Sequence, residues 1–264
     1  MPVDLDAMLA VATKAARAAS ELLRGVHASS IRGKATPRDL VTEWDLKTEV
    51  TIREVLADTG YPILGEEGGQ TGAAATYRWL VDPIDGTVNF AHGLPIWSIA
   101  IALEQVGEGT LLGLVAAPAI GWWFQATRGG GAYDGNGTRL SVSACTRFDE
   151  ALLATGFPYD IPTNPDNNLA EWAHMQRTAG SCRRLGVASL DLCAVGCGWF
   201  DGYWERRLKP WDIAAGALIV VEAGGTVTNP QGGPFDAHSG EVIATNGAIH
   251  EGLVTELAAV PKVP

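Results

Sequence analysis

Residues 79 to 90 read Trp79-Leu80-Val81-Asp82-Pro83-Ile84-Asp85-Gly86-Thr87-Val88-Asn89-Phe90. An apolar run ends on two aspartates three residues apart, with a proline between them and Gly-Thr directly after. Pro83 fixes its own φ and turns Asp82 away from helix, so the run reads as a strand over residues 77 to 82. Gly86 lets backbone come close to a ligand. Two carboxylates held about 4 Å apart repel by roughly 4 kcal/mol at an effective dielectric of about 20. A hard divalent cation reverses the sign of that repulsion. Mg²⁺ commonly takes one or two carboxylates and keeps its other positions for water and substrate phosphate. Read alone, the pair serves equally well as ordinary turn aspartates, because Asp-Pro and Asp-Gly are common turn pairs.

Three further acidic spots bear on that choice. Gly65-Glu66-Glu67-Gly68 follows a short strand at residues 61 to 64, which brings its carboxylates within reach of a cleft; taken alone it is a solvated loop. Asp212 opens a helix in Trp211-Asp212-Ile213-Ala214-Ala215-Gly216, where capping explains it, though the small residues also admit close approach. Asp45 ends Asp39-Leu40-Val41-Thr42-Glu43-Trp44-Asp45 in the first turn of a helix capped by Thr42, on a face that can meet Thr87.

Outward from these spots the chain alternates in type. Leu5, Met8, Leu9, Ala12, Ala16, Ala19 and Leu23 recur at helical spacing, predicting a helix over residues 4 to 25. Residues 26 to 38 read as a loop or hairpin. A second helix runs to about residue 58 with Leu46, Val50, Ile52, Val55 and Leu56 inward. Strands follow at 96 to 103, 111 to 117, 121 to 125, 131 to 133 and 140 to 143, giving a mainly antiparallel sheet. The second half reads as strand 152 to 156, helix 169 to 178, extended 182 to 185, helix 187 to 196, strand 201 to 205, helix 212 to 223, strands at 227 to 228 and 242 to 244, and a closing helix 250 to 257. This places an N-terminal subdomain over 1–145 and a C-terminal one over 146–264. The loop at residues 158 to 168 is where substrate preference or a dimer contact is expected to be set.

Composition narrows the function classes. The chain has 264 residues, 47% hydrophobic and 19% charged, with net charge −11. A large core is expected, and direct nucleic-acid binding, which needs a basic face, is not. No signal peptide or membrane span is visible, so the expected location is cytoplasmic. Cys145, Cys182, Cys193 and Cys197 fit no zinc or disulfide spacing and read as free thiols. Trp199, Trp204 and Trp211 read as core or dimer residues.

Taken in order along the chain, these motifs resemble the inositol monophosphatase family. Residues 79 to 90 look like its first signature and residues 211 to 225 like its second, with Gly65-Glu66-Glu67 and residues 39 to 45 in the family's order. The resemblance spans essentially the whole chain. It implies an α+β, layered α/β/α/β/α sandwich, shared with the fructose-1,6-bisphosphatase type, and a Mg²⁺-dependent, Li⁺-sensitive phosphomonoesterase. The implied metal ligands are Glu66, Asp82, Asp85, Asp212 and the Ile84 carbonyl. The implied catalytic residues are Glu66 with the Asp45–Thr87 pair. For substrate it implies Lys34, Asp85, the Gly86 and Thr87 amides, Glu205 toward the alcohol, and the helix start at Gly186, Val187 and Ala188. Two or three Mg²⁺ ions, replaceable by Mn²⁺ and opposed by Ca²⁺ and Li⁺, and a homodimer belong to the same implication. Val187 stands where many relatives carry a small hydroxyl residue, which removes one substrate hydrogen bond. Arg183-Arg184 could meet another anionic group or a subunit partner. The expected substrate is inositol 1-phosphate or a similar small polyol or sugar phosphate. Histidinol phosphate, fructose 1,6-bisphosphate and 3′-phosphoadenosine 5′-phosphate are the alternatives within the superfamily. A regulatory binding protein on the same scaffold is the alternative of another class.

Overall fold

The computed structural model describes residues 3–26, 31–33 and 39–261. Lys34, with most of the 26 to 38 loop, lies outside the described residues. In chain order the elements are α1 (Leu5–Leu22), β1 (Ile31–Gly33), β2 (Leu40–Thr42), α2 (Glu43–Leu56), β3 (Ile63–Gly65), β4 (Gly69–Thr71), β5 (Tyr77–Asp85), α3 (Thr87–Ala91), β6 (Ser98–Gln105), β7 (Gly109–Ala117), β8 (Trp122–Thr127) and β9 (Gly131–Asp134). There follow β10 (Leu152–Thr155), α4 (Leu169–Thr178), β11 (Ser181–Arg183), α5 (Ala188–Gly196), β12 (Gly202–Glu205), α6 (Pro210–Glu222), β13 (Thr226–Thr228), β14 (Val242–Thr245) and α7 (His250–Ala258).

Two sheets organise the molecule. A seven-stranded sheet runs β4-β3-β5-β6-β7-β8-β9, antiparallel except for the β3–β5 pair. A five-stranded mixed sheet runs β11-β10-β12-β14-β13. Helices α1 and α2 cover the outer face of the larger sheet, α5 and α6 fill the space between the sheets, and α4 and α7 cover the outer face of the smaller one. The order is the layered α/β/α/β/α architecture expected from the resemblance. Each interface has its own core, and the middle one is the largest. Eight consecutive residues of α6, from Ile213 to Val220, are buried, as is every residue of α5. A helix hydrophobic all round belongs in the interior, and here both faces meet a sheet. The alanines of α1 (Ala12, Ala15, Ala16 and Ala19) are fully buried and let that helix lie close on β6 and β7.

Several expectations need correction. Leu46 and Val50 are more than half exposed, while Asp45, Thr48, Glu49, Ile52 and Leu56 face inward. The buried face of α2 is partly polar because it holds neighbouring loops, so the apolar stripe misreads its orientation. The strand before the acids does not end at Asp82 but continues to Asp85. Residues 140 to 143 form no strand: Leu140 donates to the Ala132 carbonyl and Val142 to that of Ala223, so the segment bridges two different neighbours. The short β4 and α3 were not anticipated.

The four cysteines are free, Cys182 and Cys193 buried. Trp204 is in the core, whereas Trp199 is about half exposed and packs at a tilt against Trp122. No described helix is long and apolar enough to cross a membrane.

Candidate active site

Asp82 and Asp85 owe their common direction to an irregularity in β5. Side chains along a strand alternate faces, so residues three apart should point oppositely. Opposite them on β6, however, Asp82 pairs with Ala100 and Asp85 with Ser98, two residues apart. One extra residue is therefore bulged out of β5, which re-aims the second acid. Pro83 sits in that bulge, where its missing N–H breaks no ladder bond. At Gly86 the backbone has φ +89°, and a Cβ there would lie 2.7 Å from Val187 Cγ2. Only glycine meets both conditions without displacing α5.

One cavity of about 1030 Å³ gathers the acids predicted from sequence: Glu66, Asp82, Asp85, Glu205 and Asp212 all line it, with Ile84 between them. They arrive from four places in the chain: the loop after β3, strand β5, strand β12 and helix α6. Glu66 follows β3 in a loop held from beneath by the buried Glu49 of α2. Glu49 accepts the Glu67 and Gly68 N–H groups at 2.7 and 2.8 Å and pairs with Arg53 at 2.7 Å. A Cβ on Gly65 would fall 2.6 Å from the Glu49 carboxyl carbon, so this loop requires glycine. Asp212 occupies the first turn of α6 and accepts the Lys209 N–H at 2.7 Å.

Backbone donors fix one oxygen of each aspartate. Asp82 Oδ1 accepts the Ile84 N–H at 3.0 Å. Asp85 Oδ2 accepts both the N–H and the hydroxyl of Ser189, at 2.7 and 2.6 Å. The amides opening α5 thus serve Asp85, and the expectation that this helix start binds substrate directly is narrowed: Gly186 and Ala188 line the cavity, but Val187 does not. The Val187 side chain is 1% exposed and packs in the core.

Behind the acids, Thr87 Oγ1 lies 3.1 Å from Asp45 Oδ1 and 3.1 Å from the Ile84 carbonyl. Asp45 is fully buried, and its Oδ2 accepts from both the N–H and the hydroxyl of Thr42 at 2.8 and 2.6 Å. The predicted Asp45–Thr87 pair is therefore formed, 42 residues apart in sequence.

Burial and crowding raise the carboxyls of the cavity. Burial, then the charges of Glu66, Asp85, Asp212 and Asp45, push Asp82 well above the usual carboxylate range. Asp212 is raised well above it by burial, Asp85 and Glu66. Asp85 is raised by burial to about 6, with the Ser189 and Ala188 donors pulling the other way. Among the described residues, no group of three or more His, Cys, Asp or Glu side chains is placed to hold a metal ion. The donors fit a hard cation nonetheless: they are all oxygens, they share one cavity, and they repel one another. Mg²⁺ keeps several waters, so it does not require an all-protein cage.

Sequence reasoning missed Ser189 and Asp191. Both interrupt the otherwise apolar run from Ala188 to Gly196, which is the signal that could have exposed them. Asp191 is fully buried, neither of its oxygens has a hydrogen-bond partner among the described residues, and burial and Glu205 raise its pKa well above the ordinary range. Glu205 accepts a hydrogen bond from the Tyr203 hydroxyl and is raised by burial to about 7. Arg184 lines the cavity; Arg183 instead donates to Ser181 and the Cys182 carbonyl.

A layered α/β protein with an acid-lined cleft between its two sheets is the class these observations define. The inositol monophosphatase family model matches residues 4–262, and the chain belongs to that family. It is 39% identical over 266 residues to an inositol-1-monophosphatase of Synechocystis, covering 99% of this chain and 92% of that one. It is 40% identical over 274 residues to the Nus factor SuhB of Pseudomonas aeruginosa, covering 98% of each. Among solved structures, the inositol monophosphatase of Anabaena superposes with a TM-score of 0.90 at 36% identity, with 99% of each chain covered.

Proposed function

We propose that the chain is a Mg²⁺-dependent phosphomonoesterase acting on inositol 1-phosphate or a similar small polyol or sugar phosphate. The observation that carries this reading is the meeting of Glu66, Asp82, Asp85 and Asp212 on one cavity that also holds Glu205. Glu66, Asp82, Ile84 O, Asp85 and Asp212 would hold the metal. When bound, divalent cations lower the pKa of a water and neutralise charge on the phosphate and the departing alkoxide.

The chain's own groups then have definite tasks. Asp45 Oδ2 is committed to Thr42, which leaves Oδ1 to face Thr87. Thr87 Oγ1 can pass its proton to Asp45 as it receives one from the attacking water, and Glu66 orients that water. The Gly86 and Thr87 amides hold phosphate oxygens; a phosphate role for Lys34 rests on the family resemblance alone. Glu205 faces the hydroxyls of the alcohol. Val187, which does not line the cavity, takes no part in substrate contact.

The division near residue 145 belongs to this reading. Glu66, Asp82 and Asp85 precede it while Glu205 and Asp212 follow it, so the site is complete only when both halves pack. Lithium sensitivity and inhibition by Ca²⁺ are expected with the same metal set, as is a homodimer.

The test is a phosphate-release panel over inositol 1-phosphate, histidinol phosphate, fructose 1,6-bisphosphate and 3′-phosphoadenosine 5′-phosphate, with Mg²⁺ and with or without Li⁺. Release from inositol 1-phosphate that Li⁺ suppresses is the expected result. No release from any ester sinks the reading. A binding role is the second reading, favoured by the 40% identity to a relative named as a Nus factor. Absence of turnover together with capture of a macromolecular partner would favour it.

A further inference from the structure

The metal and phosphate assignments leave one part of the cavity wall unused. Residues 156 to 161 run along its rim from the end of β10, and Tyr159 lines it with 48% of its surface exposed. After burial, the charges of Asp85, Asp212, Glu66 and Asp82 all push the Tyr159 phenol up. Tyr159 thus shares the cavity with these acids while about half of its surface stays open.

This rim is pinned from several sides. Arg207 holds Asp160 at 2.8 Å, and Arg206 holds Asp166 at 3.1 Å and Glu171 at 3.3 Å. Phe157 lies under the Arg184 guanidinium, 5.4 Å away, and edge-on to Trp172. The Asn168 side chain donates to Thr155 Oγ1 and the Gly156 carbonyl and accepts from Trp204 Nε1, each at 2.7 Å. Among the described residues, only two that are not glycine have positive φ: Asn168 at 66° and Arg207 at 63°. Asparagine tolerates that region, but arginine there is strained. Both lie in the same clamp, so its contacts overrule local preference and hold the rim in one shape. Arg207 is also two residues after Glu205, so a single segment positions the acid and the rim.

We propose that Tyr159 is a specificity-determining residue for the alcohol part of the substrate, its ring packing on the C–H face of a cyclic polyol or sugar whose hydroxyls meet Glu205. The proposal rests on the phosphatase reading and names the chemistry of the leaving group. Stacking of a sugar ring on an aromatic face needs a rigid ring, which the clamp supplies.

The experiment compares kcat/KM for inositol 1-phosphate with that for the acyclic 2-glycerophosphate, using the full chain with Mg²⁺. Removing the ring in Tyr159→Ala should lower the ratio of the two roughly tenfold, mainly through KM for the cyclic ester. Tyr159→Phe keeps the ring and should keep the ratio. Arg207→Gly relieves the strained φ but frees the rim, and should lower the ratio in the same direction as Tyr159→Ala. An unchanged ratio in Tyr159→Ala, or equal loss on both esters, overturns the proposal. Should the wild-type chain hydrolyse neither ester, the inositol-phosphate reading falls, and calorimetric titration with inositol 1-phosphate in Ca²⁺ decides the contact. Binding that weakens in Tyr159→Ala upholds it; unchanged binding, or none by the wild type, overturns it.

Discussion

Asp82 and Asp85 share a cavity because β5 carries one residue more than β6 between their partners. Their mutual repulsion is retained by burial and by donors that fix their positions, Ser189 foremost. Asp85→Asn removes charge but not volume, so the fold should survive while turnover falls by more than about 100-fold, beyond what loss of an outer partner causes. Steady-state rates in saturating Mg²⁺ check this, and near wild-type turnover rejects the metal role. Ser189→Ala leaves Asp85 in place but takes away its hydroxyl donor. Mg²⁺ affinity, read by calorimetry, should drop by about 10–100-fold. Asp82, Asp85, Glu66 and Asp212 were legible in the sequence as separate acidic spots, and as one set through the resemblance of their motifs to the family. Ser189 was not, because a hydroxyl in an apolar helix has no meaning until its neighbour is known.

Helix α2 shows how an element serves the site from behind. Its inward face carries Asp45, which meets Thr87, and Glu49, which accepts two N–H groups of the loop that presents Glu66. That double duty is why Leu46 and Val50 are turned to solvent, against the apolar pattern. Glu49→Ala leaves two loop amides and Arg53 without their acceptor. It should cost about 1–3 kcal/mol in urea unfolding for a lost buried hydrogen-bond partner. The same variant should weaken Mg²⁺ binding, since Glu66 loses its support; full retention of metal affinity would separate α2 from the site. Gly86→Ala tests the neighbouring junction. A left-handed non-glycine residue costs about 1–2 kcal/mol before any clash with Val187 is counted, and thermal unfolding should register it.

Across the whole molecule, the middle layer of α5 and α6 brings the two sheets together and buries carboxyls that neither half would bury alone. Asp85 rises to about 6 and Glu205 to about 7, from ordinary values of 3.8 and 4.5. Across that window the folded chain holds more protons than the unfolded one, so their contribution to stability is complete below the ordinary values and is lost as pH climbs through about 6 and 7. The metal-free chain should therefore melt at lower temperature at about pH 8 than at about pH 5. Saturating Mg²⁺ should recover much of the loss at the higher pH, because a ligand that binds only the folded state stabilises it. Glu205→Gln should flatten the slope of melting temperature against pH. A slope of opposite sign in the metal-free protein would contradict the burial of these acids.

By itself the sequence determined the helices and strands, through alternation and helical spacing, and four acidic spots set among turn residues; the layer order, the union of the acids into one set and the partnership of Asp45 with Thr87 came from the resemblance of those motifs, taken in order, to the family. The tertiary structure alone decided three things. The β5 bulge sets the direction of Asp85, since register depends on the partner strand. The polar inner face of α2 depends on the loops packed beneath it. The rim that carries Tyr159 is fixed by Asp160–Arg207 and by Asn168 with Trp204, contacts between residues tens of positions apart, whose energies exist only once the C-terminal half has folded on itself.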